Sequence, residues 1–222
     1  MKILAINGSP RKDWNTATLL RHILDGASSQ GAETGLIHLY DLDYTGCTSC
    51  FVCKLRDGKS YGRCAVHDGL TPILGEIPDV DGIILGSPIY FGIVSGMMRC
   101  FMERLFFPYL VYKNPPESLF PGKIPSAFVY TMNVEEKQVH EAGYDVHFSS
   151  NRMVMERMFG CPCESFFSYE TRQFEDYSKM VFEYVDPALR VEQADKKFPA
   201  ECRQAYDLGV RLATPGKQEE YA

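Results

Sequence analysis

Five short apolar runs alternate along this chain with longer stretches whose apolar residues recur at helical spacing. That alternation restricts the fold more than any other feature. The runs are KILAIN at 2–7, ETGLIHL at 33–39, VDGIILG at 80–86, IPSAFVYT at 124–131 and CESFFSY at 163–169. Between the first two, Leu19, Leu20, Ile23, Leu24 and Ala27 fall on one face of a helix over 15–30. DGLTPILGEI, 68–77, reads as a short helix with Asp68 as N-cap. Val94, Met97, Met98, Phe101 and Leu105 mark another helical face. Residues 135–159 are expected to be helical in part, and a last helix to begin near Pro199, where proline is tolerated, and to end near Ala213. Strand–helix alternation implies α/β architecture: a doubly wound, five-stranded parallel sheet of order 2-1-3-4-5 with helices on both faces. Ligands of such sheets sit at the carboxyl ends of the strands, so the loops after the first, third and fourth runs are where chemistry belongs.

The whole chain, 1–222, reads as one domain, with a cysteine-rich excursion at 46–67 and an aromatic, proline-rich loop at 106–123. A formal net charge of −6 offers no basic stripe for a nucleic acid. MKILAING leads straight into a strand without a signal-peptide layout, and no apolar stretch approaches membrane-spanning length. The expectation is a cytoplasmic protein without a membrane partner, in a compartment that keeps its eight cysteines reduced.

The first loop, GSPRKDWNTAT at 8–18, joins a strand to a helix N-terminus. Free backbone N–H groups at the positive end of the helix dipole, with Ser9, Arg11, Asn15, Thr16 and Thr18, suit a terminal phosphate dianion. The loop has neither the GxxxxGK[ST] nor the GxGxxG pattern. The second, GSPIYFG at 86–92, is stiffened by Pro88, presents Ile89, Tyr90 and Phe91, and has Gly86, Gly92 and nearby Gly96 for close backbone approach. Aromatic surface beside backbone donors is what a flat heterocycle with a polar edge needs. No nucleophile–base pair stands out. His140 and His147 flank GYD and read as surface histidines, and Trp14 lies in the first loop.

Taken together, GSPR…NT and GSPIY…G resemble the NAD(P)H-dependent FMN reductase family of flavodoxin-like flavoproteins, in particular its iron–sulfur flavoprotein branch. The likeness covers about the first 135 residues and includes DGIILGSPIY at 81–90 and MRCFMER at 98–104. It implies a flavodoxin-like fold and bound FMN. It places Ser9, Arg11, Asn15, Thr16 and adjoining Ala17 at the phosphate. Pro88, Ile89, Tyr90, Phe91 and Gly92 fall along the isoalloxazine, with Thr131, Met132 and Asn133 near the flavin edge. It further implies an oxidoreductase that passes a hydride or electrons from NAD(P)H through FMN to a quinone, a flavin or another acceptor, as a homodimer or homotetramer. The alternatives are an iron–sulfur flavoprotein acting as an electron carrier, and an FMN-binding redox sensor without turnover. Residues 106–120 are the candidate lid or subunit contact.

Cys47, Cys50 and Cys53 stand at metal-ligand spacing, and Cys64 follows after KLRDGKSYGR, a stretch whose glycines and charges suggest a flexible excursion. Members of the resembling branch hold a [4Fe-4S] cluster with such a triplet and a fourth cysteine. A cluster, a zinc ion and plain thiols remain open for these four, and no metal is assigned. Cys161 and Cys163 are too close for an unstrained disulfide and read as strand-edge packing.

Overall fold

The computed structural model describes residues 1–183 and 185–214. Its strands are β1 Lys2–Asn7, β2 Glu33–His38, β3 Gly82–Tyr90, β4 Ile93–Val94, β5 Leu110–Val111, β6 Glu117–Ser118, β7 Ser126–Thr131 and β8 Cys163–Ser168. Its helices are α1 Asn15–Ser29, α2 Thr71–Glu76, α3 Gly96–Tyr109, α4 Glu136–Glu141, α5 Asp145–Phe159 and α6 Pro187–Ala213. The five long strands are parallel and ordered β2-β1-β3-β7-β8, which is the expected 2-1-3-4-5 arrangement. One short antiparallel strand, β4, folds back on β3.

The period-two pleat splits each strand between two cores. Ile3, Ala5, Ile84, Ala127 and Val129 face α1 and α6, with Leu19, Leu20, Ile23 and Leu208. Leu4, Ile6, Ile83, Leu85, Phe128 and Tyr130 face the other side, with Met98, Phe101, Leu105, Met155 and Phe159 of α3 and α5. Helices therefore cover both faces, as a buried parallel sheet requires. On the first face α1 and α6 pack backbone to backbone. A Cβ on Gly26 would lie 2.0 Å from the Tyr206 carbonyl oxygen, and one on Gly209 would lie 1.8 Å from that of Ile23.

Three expectations are corrected. The stretch 106–123 is not a loop throughout: α3 runs on through Pro108 to Tyr109, and β5 and β6 form a small hairpin after it. Phe106 and Phe120 are buried against Phe159, and Tyr109 against Phe120, so core packing holds the segment. The last helix starts at Pro187, not Pro199. Asp186 caps it by accepting from the Ala188 N–H at 2.8 Å, and Pro199 lies inside. Its buried stripe includes Ala194, Cys202, Ala205 and Gly209, small residues that give little apolar periodicity. The third run extends as a strand to Tyr90 because the Ile89–Val94 and Tyr90–Ile93 pairs prolong it.

Candidate functional site

The carboxyl ends of β1, β3 and β7 lie side by side, and hydrogen bonds tie their loops together. Gly8 N–H donates to the Gly86 carbonyl at 2.8 Å. Ser95, the α3 N-cap, is buried between the first two loops. Its hydroxyl donates to the Gly8 carbonyl at 2.6 Å, and its N–H donates to Ser87 Oγ at 2.9 Å. Thr16 and Thr131 share a buried hydroxyl–hydroxyl bond of 2.8 Å, which locks the first turn of α1 to the end of β7. Ser95 and Ser87 are functional-loop supports that the sequence did not single out; an N-cap serine before the Gly96 helix was the available signal.

Within the first loop, Asn7 Oδ1 accepts from Ser9 N–H at 3.0 Å, and Ser9 Oγ accepts from Arg11 N–H at 3.1 Å. The first N–H of α1 to bond along the helix is that of Thr18, to the Trp14 carbonyl, so the N–H groups of Asn15, Thr16 and Ala17 form the open first turn. A strap after β8 crosses this turn. The Arg172 carbonyl accepts from Asn15 Nδ2 at 2.8 Å and from Trp14 Nε1 at 2.9 Å. Exposed Arg11 donates to the Gln173 carbonyl and stands 5.2 Å over the Trp14 ring. Beside the turn lies a cavity of about 200 Å³ lined by Trp14, Thr18, Tyr169, Arg172, Lys197 and Glu201. Burial pushes the Tyr169 phenol up to about 12 and raises the Glu201 carboxyl, which accepts from Ser168 Oγ at 2.5 Å.

The second loop is a hairpin tip. Phe91 and Gly92 both have positive φ, +51° and +85°, as a two-residue turn matched to strand twist demands. Phe91 is 103% exposed and Tyr90 45%. Burial raises the Tyr90 phenol, and the nearby Arg11 charge opposes that shift, which puts the first two loops within electrostatic reach. Gly86 and Gly92 also make room for neighbouring side chains. A Cβ at Gly86 would meet Leu20 at 2.7 Å, and one at Gly92 would meet the Tyr144 ring at 2.8 Å, whereas Gly96 is open. In the third loop, Met132 N–H is already given to the Ser168 carbonyl at 3.0 Å, and Asn133 Oδ1 is buried without a hydrogen-bond partner.

The four cysteines share a separate pocket. Cys47, Cys50, Cys53 and Cys64 line it with Phe51, Glu103 and Arg104. The stretch between Cys53 and Cys64 is a series of hydrogen-bonded turns, not a loose excursion: Gly62, at φ +75°, donates to the Cys53 carbonyl at 3.0 Å, which returns the chain to Cys64. Lys54 Nζ caps the C-terminal end of α3, donating to the carbonyls of Phe107, Pro108 (3.2 Å) and Leu110. Burial raises the Cys53 thiol, with Lys54 opposing and the other three thiols adding to it. The sulfurs share the pocket without converging on one point: among the described residues no three His, Cys, Asp or Glu side chains are placed to hold a single ion. Cys163 is buried in β8 and its thiol is pushed up to about 11 by burial; Cys161 is half-buried. His140 Nδ1 pairs with Asp145 at the surface, 2.7 Å away.

A family signature described as NADPH-dependent FMN reductase matches residues 1–157. An iron–sulfur flavoprotein of Methanocaldococcus jannaschii is 40% identical over 104 residues, which are 47% of this chain and 51% of that protein. An iron–sulfur flavoprotein of Archaeoglobus fulgidus is 36% identical over 104 residues, covering 47% and 48%. The chain spans about half the length of the curated relatives it matches. Among solved structures, an azoreductase superposes with a TM-score of 0.66 at 11% identity, covering 95% of this chain and 100% of the other. The NAD(P)H:quinone oxidoreductase of Methanothermobacter marburgensis superposes with a TM-score of 0.62 at 13% identity, covering 96% and 98%. These two likenesses establish the fold.

Proposed function

The chain belongs to the NADPH-dependent FMN reductase family, and from that premise we propose that it is an FMN-binding oxidoreductase drawing electrons from NAD(P)H and passing them to a quinone, flavin or other acceptor. One observation carries the reading: three strand-end loops are bonded into one rim that combines an open helix N-terminus with a fully exposed aromatic tip at Phe91. The residues fit a phosphorylated flavin. Ser9, Arg11, Asn15, Thr16 and Ala17 surround the donor-rich turn that suits a phosphate dianion. Pro88, Ile89, Tyr90, Phe91 and Gly92 offer the flat apolar surface. Thr131, Met132 and Asn133 border the third side, where the unpartnered Asn133 Oδ1 would accept from a ring N–H.

FMN supplies the redox chemistry when bound; the protein binds, orients and tunes it. The α1 dipole and Arg11 favour the phosphate charge. The Thr16–Thr131 bond fixes the turn that binds phosphate relative to the β7 rim, so that little reorganisation follows binding. The exposed hairpin tip at Tyr90 and Phe91 would lie against the bound ring and keep water from that face. No helix is long and apolar enough to cross a membrane among the described residues, and we place the protein in the cytoplasm, working as a homodimer or homotetramer.

The four-thiol pocket favours a second component. Each iron of a [4Fe-4S] cluster takes one thiolate, and Cys47, Cys50, Cys53 and Cys64, which line one pocket, supply the four that such a cluster needs. A cluster there would make the protein a one-electron partner as well as a hydride acceptor. The test is an absorbance spectrum with FMN, iron and sulfide assays on anaerobically purified protein, followed by NAD(P)H oxidation with a quinone. Bound FMN with nicotinamide turnover supports the proposal. Protein that takes up no flavin when FMN is added refutes it, and flavin without iron and sulfide removes the cluster alone.

A further inference from the structure

Arg104 is 1% exposed, on a helix face that otherwise packs apolar core. A buried guanidinium is costly unless every donor is met, and here all are. Nη1 donates to Asp68 Oδ2 at 2.7 Å and to the Thr45 carbonyl at 3.0 Å. Nη2 donates to Asp68 Oδ1 and to the Val66 carbonyl, each at 3.1 Å. The last donor, Nε–H, goes to Cys64 Sγ at 2.9 Å. A thiol sulfur is a weak acceptor. A charged donor this close, held by a planar fork that cannot rotate away from it, is matched to a sulfur that carries negative charge.

We infer that Arg104 is the positioning residue that makes Cys64 the fourth member of the thiol set and raises the reduction potential of a cluster bound there. The inference rests on the cluster reading above. Cys64 is the member that sequence spacing leaves outside the triplet. Arg104 grips the chain on both sides of it, at Thr45 just before Cys47 and at Val66 and Asp68 just after Cys64. Hydrogen bonds and positive charge at a ligand sulfur stabilise the reduced, more negative cluster over the oxidised one. Lys54, anchored on the α3 carbonyls, fixes the Cys53 end, but its ammonium is given to those carbonyls rather than to a sulfur.

The test compares the full-length wild type with Arg104→Gln, Arg104→Lys and Asp68→Asn, all purified anaerobically. Each is assayed for iron and sulfide per FMN and for the cluster midpoint by redox titration. FMN content reports folding independently, since the flavin loops lie elsewhere. Arg104→Gln should load cluster several-fold less well, and the loaded fraction should favour the reduced state about tenfold less, about 59 mV more negative for a one-electron couple. Asp68→Asn removes a negative charge while leaving the Cys64 donor, so its midpoint should move the opposite way. Arg104→Lys keeps the charge without the fork and should fall between wild type and Arg104→Gln; it carries the test if the glutamine variant retains no FMN. Wild-type loading and midpoint in both Arg104 variants would overturn the assignment, as would shifts of the same sign in Arg104→Gln and Asp68→Asn. A wild type with FMN but no iron or sulfide would instead remove the cluster reading itself, and this inference with it.

Discussion

Gly209→Ala tests how far the phosphate turn depends on the far side of the fold. The added Cβ would sit 1.8 Å from the Ile23 carbonyl oxygen and 2.9 Å from the Ala27 amide nitrogen. Both neighbours are α1 backbone, so no rotamer change relieves the clash, and the helices must part until the contact reaches at least 3.0 Å. Overpacking of this kind costs about 1–3 kcal/mol, against which alanine recovers up to about 1 kcal/mol of helix propensity. The contact is tighter than most, so the net loss should lie near 2 kcal/mol, a fall in Tm of about 4–8 °C for a chain of this size. Since α1 carries Asn15, Thr16 and Ala17 and is pinned to β7 by the Thr16–Thr131 bond, its displacement should also weaken FMN binding. The assay is thermal unfolding with and without FMN, together with titration of apoprotein with FMN and with riboflavin. FMN affinity should drop while riboflavin, lacking the phosphate, changes less. An unchanged Tm would refute the packing reasoning, and equal losses for both ligands would refute the link to the phosphate turn.

Phe91→Gly should leave stability within about 0.5 kcal/mol, because relief of a left-handed backbone offsets the entropy of glycine and the ring buries nothing in the free protein. The same change should weaken FMN binding about tenfold by loss of stacking; unchanged affinity by fluorescence titration would take the tip out of the site. For Asp68, burial pushes the carboxyl up, but the Arg104 hydrogen bond and charge together with backbone hydrogen bonds from Leu70 and Thr45 outweigh it and hold it below the ordinary 3.8. Its contribution to stability is therefore complete above that value and is lost as pH falls through the folded pKa. Denaturant titrations of metal-free protein from pH 6 to pH 3 should show that loss in the wild type and a flatter profile in Asp68→Asn; parallel profiles would argue against the ion pair. In thiol labelling of native metal-free protein at pH 8, exposed Cys50 should react early, and Cys163, buried and pushed up to about 11, should stay unlabelled until unfolding. Early loss of Cys163 would contradict its placement in β8.

The sheet is legible from the amino-acid sequence alone. Runs such as KILAIN and IPSAFVYT alternate between two buried faces, and once helices separate them only a parallel, doubly wound arrangement buries both sides. The candidate site is legible there too, since the strand-end loops at 8–18 and 86–92 carry donor-rich and aromatic residues whatever their exact geometry. Pro199 and Pro108 lie inside helices against proline's local penalty because packing overrides it: α6 is held by backbone-close contact with α1, and α3 by aromatic contacts with Phe159. Contacts across the fold, and nothing local, make Gly86 and Gly92 leave room for Leu20 and Tyr144, let Ser95 and the Thr16–Thr131 pair weld three loops into one rim, and bring Cys64 into the pocket of the triplet. Each of these is a contact between residues far apart in the chain. Local periodicity reports which face a residue turns toward, and only the folded molecule brings the distant partner, such as Arg104 for Cys64, to within bonding distance.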